Sequence, residues 1–258
     1  MFKELKKLPI LLSIIILASC NENHKKNDVT IEESPVETRT PSEPAENNET
    51  RTIPFGGVWV NKKYVDKLMS TKSPKKSQDV VPITLMLFPT QLNKEVEVVM
   101  GFHEGTTAKI TGGNGEYKIK FQEEPAQTID FKNGSIRTKN NEFIKLKSFG
   151  SKNDYKIVEQ LLFAGKYDLN GKEVEFTPSG KIIGLAPFSN YSVLIDYYDA
   201  GMQVDQLRLG KSAAESELYG FAFKKNQLII YELKCLEPEG QYCNVVKNGK
   251  KIYLLTRK

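Results

Sequence analysis

Of the two histidines in this 258-residue chain, only His103 lies in a stretch patterned to fold, so any nucleophile–histidine–acid arrangement must be built on it. His103-Glu104-Gly105 starts like the helical H-E-x-x-H zinc motif, but Thr107 stands where the second histidine is required. Gly210-Lys211-Ser212 ends like a phosphate-binding loop, yet Asp205 occupies the position of its first glycine. No Gly-x-Ser-x-Gly elbow occurs. Two places keep groups able to bind or react. His103 and Glu104 fall at a strand end, where polar side chains can point into a site. The run Tyr191–Asp199 sets Tyr191 and Tyr197 beside Asp196, a mixture able to stack on and hydrogen-bond a sugar or peptide. Two histidines and three cysteines are too few ligands for most zinc, haem or iron–sulfur architectures; no metal and no cofactor is expected.

The third cysteine belongs to the N-terminus. Lys3, Lys6 and Lys7 precede an apolar run, Leu8–Ala18, broken only by Pro9 and Ser13. That is the layout of a secretory signal, and the run is too short to span a bilayer. It ends Leu17-Ala18-Ser19-Cys20, which resembles the lipobox of bacterial lipoproteins. The resemblance implies that residues 1–19 are removed and that Cys20 is acylated on its thiol. Two or three acyl chains, at about 0.8 kcal/mol per buried methylene, anchor a protein stably in a bilayer. The implied location is the cell envelope, most readily the outer membrane.

Residues 20–52 hold no aromatic residue, three prolines, and eight acids against four bases. Such a segment cannot bury enough apolar surface to offset its ordering entropy and reads as a disordered tether. The remaining residues, 53–258, carry the excess positive charge, but as scattered pairs such as Lys62-Lys63 and Lys224-Lys225 with no basic block. Nucleic acid is excluded as a partner by that pattern.

Beyond Ile53 the chain reads as mainly β: short alternating runs separated by turn residues at intervals of eight to twelve, the pattern of an antiparallel meander. Expected strands include Gly57–Val60, Val81–Phe88, Val96–Phe102, Tyr117–Phe121, Gly165–Leu169, Ser192–Tyr197 and Ile252–Thr256. Asn133-Gly134 and Asn170-Gly171 are hairpin turn dipeptides. Two short helices are expected, one over Lys63–Met69 and one in which Asp154 caps a face of Tyr155, Val158, Leu161 and Leu162. Gly57-Val58-Trp59-Val60-Asn61 and Gly165-Lys166-Tyr167-Asp168-Leu169-Asn170 share a glycine, an aromatic and an asparagine. The chain therefore reads as one or two barrel- or sandwich-like units, with halves at 53–150 and 151–258.

Gly57-x-Trp59 on the first strand of a meander resembles the lipocalins, in which that tryptophan closes one end of a barrel. Asp196-Tyr197 is similar to the Asp-Tyr pair of that superfamily, and Arg257 to its late arginine. The resemblance implies a calycin-like β-barrel and leaves the ligand unnamed. Cys235 and Cys243 flank Glu237-Pro238-Glu239-Gly240, which suits a tight turn with Pro second; in an exported protein the two are expected to pair as a disulfide.

The functional expectation is a lipid-anchored envelope protein whose β-rich part binds a small ligand or an envelope protein without catalysis, with Trp59, His103, Glu104, Tyr191, Asp196 and Tyr197 as candidate contacts. Two alternatives stay open. One is a hydrolase of envelope glycans or peptides working through carboxylates such as Glu104 and Asp196; the other is a structural or assembly lipoprotein.

Overall fold

The computed structural model describes residues 51–92, 94–147, 155–198, 203–239 and 242–258. The signal, Cys20, the tether and Asp154 lie outside them. Strands make up 54% of the described residues and form two eight-stranded antiparallel sheets.

The first sheet is a closed up-and-down barrel. It comprises β1 (Gly57–Asn61), β2 (Leu85–Phe88), β3 (Glu95–Met100), β4 (Glu104–Gly113), β5 (Glu116–Lys120), β6 (Gln127–Lys132), β7 (Ser135–Arg137) and β8 (Glu142–Lys145), each paired with the next and β8 paired back to β1. Alternation decides which side chains enter. Trp59, Met86, Val96, Val98, Ala108, Ile110, Ile119 and Phe143 fill the interior, while Val58, Val60 and Leu85 point outward. The interior is therefore a packed core. Asn114-Gly115, Asn133-Gly134 and Asn170-Gly171 all take positive φ and turn their hairpins as expected.

The second sheet comprises β9 (Gly165–Leu169), β10 (Lys172–Phe176), β11 (Ile182–Ile183), β12 (Asn190–Val193), β13 (Gln206–Gly210), β14 (Ser216–Lys224), β15 (Gln227–Glu239) and β16 (Tyr242–Arg257). Its order, β11-β10-β9-β16-β15-β14-β13-β12, brings the first and last strands together in the middle. The sheet curls until its two ends meet at a single antiparallel bridge, Lys181 to Asn190. This leaves a thin seam where the first barrel has a full ladder.

Both sheets are locked by the same device. Trp59 on β1 lies opposite Lys145 on β8, with Nζ 5.6 Å from its ring centroid; Tyr167 on β9 lies opposite Arg257 on β16, with Cζ 5.7 Å from its ring centroid. Trp59 Nε1 donates to Phe55 O (2.7 Å) and Tyr167 OH to Phe163 O (2.8 Å), each four residues back. Between each pair sits a glycine of positive φ, Gly57 or Gly165, where a Cβ would stand 3.3 Å from Lys145 Cε or 3.1 Å from Arg257 Nη2. The missing side chain lets the cation cross the first strand and cover the ring. Phe-x-Gly-x-aromatic thus recurs, each member 108 positions after its counterpart.

Helix α1 (Lys62–Thr71) follows β1 directly, because Asn61 caps it. Its Oδ1 accepts the Lys63 N–H (2.9 Å), while its Nδ2 donates to Ile83 O and Asn141 Oδ1. Tyr64, Val65 and Leu68 are buried as their spacing predicts, but Met69 is 41% exposed. The second expected helix is a π-helical turn, Glu159–Phe163. A third helical piece, the 3-10 segment Lys75–Val80, was not expected. The expected Val81–Phe88 strand begins only at Leu85, and Pro82 supplies no backbone donor to the ladder. The outer face of the first barrel (Val58, Val60, Leu85, Leu146), the buried face of α1 and the interior of the second sheet share one apolar cluster.

The strands β15 and β16 outrun their neighbours. Residues 227–231 pair with β14, whereas 232–239 and 242–250 pair only with each other. A two-stranded ribbon is marginal alone in water, and here a Cys235–Cys243 disulfide, Cα–Cα 5.8 Å, ties it. Closing so short a loop contributes about 2.5 kcal/mol on the chain-entropy model. The expected Pro-containing turn is displaced: Glu237 and Pro238 are in β15, with Pro238 opposite Cys243. Proline is accommodated because the ribbon has no third strand to receive its missing N–H.

Candidate functional site

His103 sits on the turn between β3 and β4, where Gly101 (φ 58°) and Phe102 (φ 64°) reverse the chain. Phe102 packs edge-on against buried Tyr64 of α1, ring centroids 5.2 Å apart, and the turn is thereby pinned to the helix. Gly101 is where Tyr198 approaches: a Cβ there would lie 2.8 Å from the tyrosine ring.

Three separate elements converge on this turn. His103 Nδ1 lies 3.0 Å from Asp196 Oδ2, and the Tyr198 N–H donates to Asp196 Oδ1 at 3.1 Å. The His103 and Tyr198 rings are 5.2 Å apart at 36°. Tyr198 OH donates to Asp79 Oδ1 of the 3-10 segment at 2.7 Å, and that bond is the main reason its ionisation is pushed up. The phenol is held as a donor, and Asp196 orients the imidazole. A histidine–carboxylate pair with a neighbouring phenol can exchange protons with a bound group, or can clasp the two sheets together. The pair lies on open surface, 44% and 37% exposed, and none of the described clefts is lined by His103, Glu104 or Asp196. An exposed polar contact of this kind contributes about 0–1 kcal/mol.

The other candidates are dispersed. Glu104 is exposed at the start of β4, close enough to Tyr198 to act on it electrostatically. Trp59 is inside the first barrel, 1% exposed. Tyr191 is in the interior of the second sheet against Phe163 and Phe176, its OH donating to Thr177 O (2.7 Å). The expected Ser192–Tyr197 strand ends at Val193, and the chain beyond it turns Tyr197 inward, where its oxygen accepts the Gln206 N–H (3.0 Å). Burial pushes both phenols far above the ordinary tyrosine range. Tyr198 lies in the run Tyr191–Asp199 but is not among the candidate contacts, and Asp79 has no local signal at all.

No family model, no curated protein and no solved structure matches the chain. The site must therefore be read from its own chemistry.

Beneath the cluster, Lys75 spans the junction: its N–H donates to Asp205 Oδ1 (2.9 Å) and its ammonium lies 5.9 Å from the Tyr197 ring centroid. Burial raises the Asp205 carboxyl above its ordinary value, opposed by hydrogen bonds from Ser73 and the Lys75 N–H. A carboxyl whose pKa is higher folded than unfolded favours the native state most below its unfolded value, about 3.9, and that contribution is lost as pH rises through the folded value. Asp205→Asn lacks this decline. Urea unfolding at about pH 3.5 and about pH 7 should show the stability difference moving in favour of the variant at the higher pH. A difference that stays constant, or moves the other way, rejects the assignment.

Proposed function

We propose that this chain is a lipid-anchored envelope protein whose two barrels present their outer surface to a protein partner and perform no catalysis. The observation carrying this reading is that packed apolar side chains fill both interiors, the second sharing its cluster with α1 and the outer face of the first barrel, so the space in which a lipocalin-like barrel would hold a small ligand is occupied. The resemblance to calycins is supported by the glycine–aromatic–cation closure and extends to architecture only. What the fold offers is surface: the β15–β16 ribbon exposes Leu236 (46%) and runs unflanked for half its length. Its free edges are suited to an extended segment from another protein adding as a further strand. Acylation at Cys20 and a tether with an rms span of about 30 Å would give that surface reach from the membrane.

The hydrolase alternative is favoured by one observation, the His103–Asp196 pair with Glu104 adjacent. Its placement on open surface argues against an active site, which needs a concave setting.

Native mass spectrometry of detergent-purified protein from its own host is expected to show a protein partner in stoichiometric amount, released when residues 234–245 are replaced by a short turn. A stoichiometric small molecule in place of a protein overturns the partner reading. Separately, Cys20→Ala is expected to move the protein out of the membrane fraction; retention there with normal processing overturns the anchor.

A further inference from the structure

The second sheet closes at a seam of one bridge, and beside that seam is a cleft of about 470 Å³. Its wall contains Lys156, Lys181 and Arg208 together with Asn190, Ser192 and Ser212, and no acidic side chain. The register explains why the cations gather. Ser192 on β12 is directly opposite Arg208 on β13, and Asn190, two residues earlier on the same face of β12, is opposite Lys181. Lys181 Nζ donates to Asn190 Oδ1 (2.7 Å), which holds the ammonium at the seam. Lys156 enters from the segment before the π turn with a left-handed backbone (φ 45°). Its Nζ is close against Gly180, 3.3 Å from where a Cβ would stand, and 3.9 Å from the buried Glu159 carboxylate beneath.

Arg208 and Lys181 are exposed. Ser212 Oγ accepts the Glu215 N–H (3.2 Å), so its own proton remains to be donated outward. Two exposed cations and a hydroxyl donor around one hollow, with the Lys156 ammonium behind them already facing Glu159, favour an anion with several acceptor oxygens. They match a phosphoryl group, whose oxygens take a guanidinium fork, ammonium donors and a hydroxyl together. The volume leaves room for the polar body that carries the phosphate.

We propose that this cleft binds the phosphoryl group of a polar ligand, held by Arg208 and Lys181. The inference goes beyond the partner-binding reading and does not depend on it, since the cleft is built by β12, β13 and the segments flanking them, not by the ribbon.

The test is calorimetric titration of the detergent-solubilised full chain with inorganic phosphate, glucose 6-phosphate and glycerophosphoglycerol, the last a soluble phosphodiester headgroup. Binding of at least one probe is expected, with Lys181→Ala/Arg208→Ala at least about tenfold weaker and Arg208→Lys in between. Both substitutions are on exposed side chains, and unchanged far-UV circular dichroism checks the fold. The probe bound most tightly identifies the source: free phosphate, a phosphorylated sugar or a lipid headgroup. Equal binding by wild type and the double variant overturns the proposal, as does binding of none of the three probes. The ribbon replacement should leave this binding unchanged while releasing the partner, so the two readings fail separately.

Discussion

Phe163→Ala is expected to destabilise the protein by about 3–5 kcal/mol, enough to consume much of the stability of an ordinary domain. Phe163 is fully buried at the end of the π turn, and four rings surround it: Phe221 at 5.0 Å, Phe223 at 5.2 Å, Tyr191 at 5.5 Å and Phe176 at 5.9 Å between centroids. These come from three strands, β10, β12 and two positions on β14, brought together with the turn itself, so no single neighbour can collapse into the space left behind. The Phe163 carbonyl also receives the Tyr167 hydroxyl, so a shifted backbone loosens the strand lock as well. Ile183→Ala is the control, because that side chain is 58% exposed on β11 and should lose about 1 kcal/mol or less. Urea unfolding reads both; a Phe163→Ala loss no larger than that of the control would refute the role given to this ring.

Four residues earlier, Glu159→Leu is expected to cost about 3–5 kcal/mol. The Glu159 side chain is 4% exposed; its Oε1 accepts the buried Val193 N–H at 2.8 Å and faces the Lys156 ammonium, itself 12% exposed, at 3.9 Å. Leucine fits the apolar surroundings but takes the acceptor from a β12 amide and the carboxylate from a nearly buried cation. Glu159→Gln keeps the amide's acceptor while removing the charge, so it should lose distinctly less than Leu. If Leu proves neutral or stabilising, the carboxylate was a net desolvation burden and the account is wrong.

What could be read from the sequence was whatever is local. Period-two runs, Asn-Gly turns and the amphipathic Tyr64–Leu68 spacing all report on a residue and its near neighbours, and the disulfide bridged a gap short enough to read. The repeat was visible at Gly57 and Gly165. Its full extent was not, because Phe55 and Phe163 precede the strands, Lys145 looks like any strand-end cation, and Arg257, noted only through the resemblance, has no visible counterpart until β8 is laid against β1 and β16 against β9. The candidate site divides in the same way. His103 stood out as a polar group at a strand end and Asp196 as a carboxylate among tyrosines, and they do meet. The Asp79–Tyr198 bond spans 119 residues, and no local pattern marks an aspartate in a 3-10 turn as the partner of a distant phenol. Tyr191 and Tyr197 looked like binding groups because composition does not distinguish a tyrosine whose hydroxyl reaches water from one whose hydroxyl finds a backbone partner inside.

The pairing of first with last strands sets an order of events for a chain that emerges N-terminus first. The earlier barrel can shut as soon as Lys145 is out, 88 positions after Gly57. The later one holds β9 through β15 but cannot place its arginine over Tyr167 until Arg257 arrives. Until then β9 presents an open edge, the condition under which strands find wrong partners. The completed first barrel, with α1 capped against it, is already there as a surface on which the apolar face of the unfinished half can wait.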